Sequence, residues 1–127
     1  MADVVTLQLP RDRDFRAVAH LVLGGLATRL ELTYDVLDDL LTALDELLER
    51  HELDGDVTVS LRLDDDALVA TVGPFGGRVA EELRSGGEGL GLRRVLDTVV
   101  DDVTLTERDD AQWVELTKRV PGADNGA

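Results

Sequence analysis

Residues 86–93, Gly-Gly-Glu-Gly-Leu-Gly-Leu-Arg, carry the strongest chemical signal in this 127-residue sequence. A glycine-rich loop running into a helix start presents unpaired backbone N–H groups and the positive end of the helix dipole, which together hold an anion. Gly87, Gly89 and Gly91 would supply the backbone contacts and Arg93 a positive charge. The segment is not a dinucleotide fingerprint, because no strand leads directly into it, and no Lys follows it as in a P-loop. Glu88 inside the loop opposes a phosphate there. A flexible loop with a tightly packed helix start accounts for the same glycines, and a solvated first turn for Arg93-Arg94.

Other reactive side chains give weaker constellations. Ser60 falls on the polar side of a strand and Ser85 in the loop, neither with a histidine near it in sequence, so a Ser-His-Asp hydrolase is not expected. His20 borders an apolar helix stripe, and His51 lies near a helix C-terminus, where the dipole favours a cation. Asp64-Asp65-Asp66 reads as a turn, since the spaced ligands and closing Glu of a calcium loop are missing. Trp113 is expected to be half-buried on an edge strand or to touch a partner. With no cysteine and two histidines, neither a disulfide framework nor a thiolate or histidine-rich metal site is available.

The elements that position these residues follow from periodicity. Residues 4–9 alternate through Val5, Leu7 and Leu9 up to Pro10, a first strand. Asp14 is placed to cap a helix carrying Phe15, Val18, Ala19, Val22, Leu23 and Leu26, with Gly24-Gly25 weakening its end. Thr33 or Asp35 opens a second helix to about residue 51, whose Leu37, Leu40, Leu41, Leu44, Leu47 and Leu48 form one stripe. Residues 57–63 and 68–72 form a hairpin around the Asp turn. Residues 73–89 hold six of the twelve glycines and predict a loop with one helical turn near Val79–Leu83. A third helix starts near Leu90, and strands near 103–106 and 113–118 meet at Arg108-Asp109-Asp110.

This order predicts a single α+β domain over residues 1–120 with a disordered tail at 121–127. Its helices would stack on one face of a mixed, mainly antiparallel sheet. Hydrophobic residues at 43 % suffice for one core, and a net charge of −14 argues against nucleic acid or an anionic membrane as partner. No apolar run approaches the ~20 residues of a membrane span, and no signal peptide is visible, so a cytoplasmic protein is expected.

The order of elements together with four motifs resembles a known family. Thr42-Ala43-Leu44-Asp45-Glu46-Leu47-Leu48 looks like the N-box of the histidine-kinase-like (Bergerat, or GHKL) ATPases, and Gly87 to Leu92 like their second glycine box. The nearest branch is that of the small anti-sigma-factor serine kinases. Val72-Gly73-Pro74-Phe75 and the ending Gln112 to Arg119 are similar to a divergent subgroup of it, and the likeness spans residues 4–119.

The resemblance implies ATP held between the N-box helix and the glycine loop. It implies Glu46 as the group that activates the nucleophile, an Asn one turn later on Mg²⁺, and an Asp in the first glycine box on the adenine. Arg50 stands where that Asn belongs, and a guanidinium has no acceptor for Mg²⁺. Glu46 and Arg50 form an i,i+4 pair expected on the face opposite the leucines, where they neutralise each other. Neither Gly73 nor Pro74, either of which aligns with the adenine-reading Asp, carries a carboxylate. The expectation is a degenerate site with no cofactor, in a regulator that binds a sigma factor or a sulfate-transporter/anti-sigma-antagonist (STAS) domain. By the same likeness it forms a homodimer through Phe15, Val18, Val22 and Leu26. The alternatives are an active serine kinase using ATP and Mg²⁺, and a pocket reused for another anion through Arg50 and Arg93.

Overall fold

The structure, a computed structural model, describes residues 4–10, 12–49, 55–64, 66–84 and 91–120. Its order is β1 (Val4–Pro10), a 3-10 turn (Arg13–Phe15), α1 (Arg16–Arg29), α2 (Tyr34–Leu48), β2 (Asp56–Asp64) and β3 (Ala67–Phe75). Then come α3 (Gly77–Arg84), α4 (Leu92–Val99), β4 (Asp102–Arg108) and β5 (Ala111–Arg119). The five strands form one sheet in the order β1-β2-β3-β5-β4. Every neighbouring pair is antiparallel, so the sheet has no parallel component.

The core lies between the helices and one face of this sheet. Val57, Val59 and Leu61 of β2, Leu68, Ala70 and Val72 of β3, and Val114 and Leu116 of β5 alternate inward against Leu40, Ala43, Leu44 and Leu47 of α2. The leucine stripe predicted for α2 is therefore its buried face. Thr33 is the cap: its backbone is extended and its hydroxyl accepts a hydrogen bond from the Val36 N–H at 3.3 Å.

The start and end of α1 differ from expectation. Asp14 falls in the 3-10 turn, and the N-cap position is taken by Phe15, which supplies no side-chain acceptor. Gly24 and Gly25 lie inside α1, and a Cβ at either would meet nothing within 4 Å. The helix ends five residues later in a Schellman arrangement. Glu31 adopts the left-handed region at φ 58°, its N–H bonds the Thr28 carbonyl, and the Leu32 N–H bonds the Ala27 carbonyl at 2.9 Å. A glycine is the usual residue there, and the stop at Glu31 lies beyond the Gly24-Gly25 pair expected to weaken the helix end. Residues 77–84, expected to give a single turn, form the two-turn α3, which buries Val79, Ala80 and Leu83.

The β4–β5 turn is the two-residue kind. Asp109 and Asp110 both have positive φ, at 51° and 66°, between the paired Arg108 and Ala111, as the twist of a tight hairpin requires. On β3 the pairing with β5 slips by one residue between Val72 and Phe75. Gly73, joined to Pro74 by a cis peptide, lies against the Trp113 indole. A Cβ added to it would sit 2.5 Å from Trp113 Cδ2.

Two stability measurements follow. Gly73→Ala should cost about 1–3 kcal/mol in urea unfolding, because the indole must shift to admit a methyl. In a Trp113→Ala background most of that cost should vanish, giving a strongly non-additive double-mutant cycle. Glu31→Gly should raise stability by up to about 1 kcal/mol by relieving the left-handed backbone, read as a higher urea midpoint at unchanged m-value.

Candidate functional site

α2 presents its polar residues on two flanks, and the flanks have different neighbours. Towards α1, Asp45 Oδ1 lies 2.8 Å from His20 Nε2, and Glu49 Oε2 accepts from Arg16 Nη1 at 2.6 Å. Arg16 Nη2 also donates to the Leu48 carbonyl at 3.4 Å. It thus satisfies an end of α2 that has no basic residue in its own last turn. His20 therefore serves the α1–α2 contact, in keeping with a boundary residue.

The other flank runs through Asp39, Ala43 and Glu46, spaced by four and three residues. Asp39 accepts from Lys118 Nζ of β5 at 2.9 Å, Ala43 is fully buried, and α4 packs beside α2. Glu46 is half-buried here. The most exposed residues of α2 opposite the leucines are Asp38, Thr42 and Glu49, and the Arg50 expected to pair with Glu46 lies outside the described residues. The packing of α4 against α2 brings the helix that carries the N-box and the helix that follows the glycine loop together as neighbouring elements.

α4 begins at Gly91, the N-cap, with φ −65° and ψ 166° and no side-chain cap for the first N–H groups. Arg93 does not point a free charge at this end. Its Nε contacts both Asp97 oxygens at 3.2 Å, and Nη1 donates to the Leu83 carbonyl at 3.4 Å, tying α4 to the last turn of α3. Arg93 thus has two partners within the chain. Arg50, Gly87 and Gly89 lie outside the described residues.

The end of β3 closes the same region from the sheet side. Val72 points into the core and Gly73 to the opposite, outer face, where Trp113 covers it. A carboxylate at position 73 would therefore stand on the wrong side of the sheet from α2 and α4. Of the two alignments the sequence left open, position 74 remains, and proline occupies it. The stretch Val72-Gly73-Pro74-Phe75-Gly76-Gly77 supplies no group that could accept from an adenine amino group through its side chain. Trp113 is half-buried, with the Arg108 guanidinium 5.0 Å above its ring. The expectation of half-buried packing holds, although the strand it occupies is an inner one.

A second depression escaped the sequence. A cleft of 470 Å³ at the start of α2 is lined by Thr33, Asp35, Val36, Asp39, Asp101, Lys118 and Arg119. It draws together the ends of three elements distant in sequence, so only the Asp39–Lys118 charge pairing could have hinted at it. Among the described residues no group of His, Cys, Asp and Glu is arranged to hold a metal ion, and no helix is long and apolar enough to cross a membrane.

Comparison with known proteins agrees with this geometry. No family model matches the chain. It is 31% identical to the serine-protein kinase RsbW of Listeria innocua serovar 6a, across 94% of this chain and 89% of that one. The serine-protein kinase RsbW of Bacillus subtilis strain 168 is 24% identical, across 95% and 88% of the two chains. In three dimensions the fold matches a crystal structure of the RsbU and RsbW domains of Rv1364c from Mycobacterium tuberculosis, with a TM-score of 0.69 at 14% identity. That match covers 93% of this chain but spans about a third (32%) of the two-domain one. With the helix order, the antiparallel sheet and the Listeria identity extending over nearly the full length of both sequences, the chain belongs to the family of RsbW serine-protein kinases.

Proposed function

We propose that this chain is a protein-binding regulator of the anti-sigma type, which engages a sigma factor or a STAS-domain antagonist without hydrolysing ATP. The observation that carries this reading is the direction of Gly73. Gly73 turns to the outer face under the Trp113 ring, away from α2 and α4, which leaves position 74 to offer the adenine a carboxylate, and that position is Pro74. A nucleotide pocket that offers the base no hydrogen-bonding partner loses most of its discrimination for it. Arg50 in place of the metal-binding Asn removes the Mg²⁺ ligand as well.

The rest of the molecule suits protein contact. Leu21 of α1 is 78% exposed, with Val18 and Phe15 exposed beside it, and residues 17–28 contain no Asp, Glu, Lys or Arg. Gly24 and Gly25 leave open space next to Leu21 on the same helix. Each costs about 1 kcal/mol relative to Ala in a helix, a cost that close approach of another surface would offset. This face is the one we assign to a homodimer, with Phe15, Val18 and Leu21 at its centre; Val22 and Leu26 are half-buried and contribute less.

The alternative, an active serine kinase, draws on the half-buried Glu46 beside α4 and on the uncapped helix start at Gly91. In it Glu46 would activate the substrate hydroxyl, and Gly87, Gly89 and Gly91 would hold the phosphates of ATP with Mg²⁺. The residues named above do not fit that cofactor pair.

Isothermal titration with ATP and with ADP, each with and without Mg²⁺, separates the two. No heat and no thermal stabilisation at millimolar nucleotide is the expected result; a ligand at a hundred times its Kd would add about 2.7 kcal/mol of stability. Mg²⁺-dependent binding would overturn the degenerate reading. Arg50→Asn is expected to stay silent, because position 74 still lacks a carboxylate. For the dimer, Leu21→Asp should convert the protein to monomer in sedimentation velocity, and an unchanged sedimentation coefficient would remove α1 from the interface.

A further inference from the structure

We draw no further inference here: the strongest candidate, the 470 Å³ cleft at the start of α2 lined by Asp35, Asp39, Asp101 and Lys118, is a group of carboxylates at a helix N-terminus whose lysine is already held by Asp39, and nothing else in it points to a ligand.

Discussion

The burial of α2 against the sheet is the constraint on which the other placements depend. Leu40, Leu44 and Leu47 reach the inward rows of β2, β3 and β5, and Ala43 has no exposed surface at all. Burying each leucine contributes about 1.5–3 kcal/mol, so rotating α2 by even a quarter turn would forfeit most of the core. With the inner face fixed, both flanks are fixed too. One must meet α1, where His20 and Arg16 answer Asp45 and Glu49. The other must meet α4 and β5, which is why Glu46 and Asp39 share a side. The exposed ion pairs add little, of order 0–1 kcal/mol each, and serve to hold the flanks in register.

Much of this was legible because α2 follows one rule over its whole length. The three- and four-residue leucine steps, the Thr33 cap and the alternation in residues 57–63 all agree with one another, and the structure follows them. The misplacements occurred where a local signal had competition. Gly24-Gly25 marks a helix end by composition, yet α1 continues because the surrounding Leu23 and Ala27 are buried and the backbone bonds carry through. Its true stop uses Glu31, a residue type that announces nothing. The orientation of Gly73 could not be read either, since the slipped register between Val72 and Phe75 breaks the alternation that would have assigned it a face. Glu46 lies on α2 as expected, and helical spacing alone does not say which neighbours lie beyond the stripe.

The chain has the family fold, and the groups that would do nucleotide chemistry are a separate matter from it. Fold and function separate easily in such a case, because the scaffold is stabilised by α2 and the sheet, whereas nucleotide chemistry rests on a few side chains at loop and strand ends. In those peripheral places Arg93 ties two helices together, and Trp113 fills the space over Gly73 on the outer face of the sheet.

Lys118 carries a different kind of consequence. It is the sole lysine of the sequence, its side chain is 18% exposed, and its amine is held by Asp39 across the junction of α2 and β5. Reagents and enzymes that modify lysine amines therefore find one side-chain target here, already engaged, whereas a surface rich in arginine presents nothing they recognise. Acylation at that amine would remove a positive charge from beside Asp39, Asp35 and Asp101 and leave the mouth of the 470 Å³ cleft uniformly acidic apart from Arg119. Covalent labelling of this protein is in effect a readout of a single joint between its helical layer and its sheet.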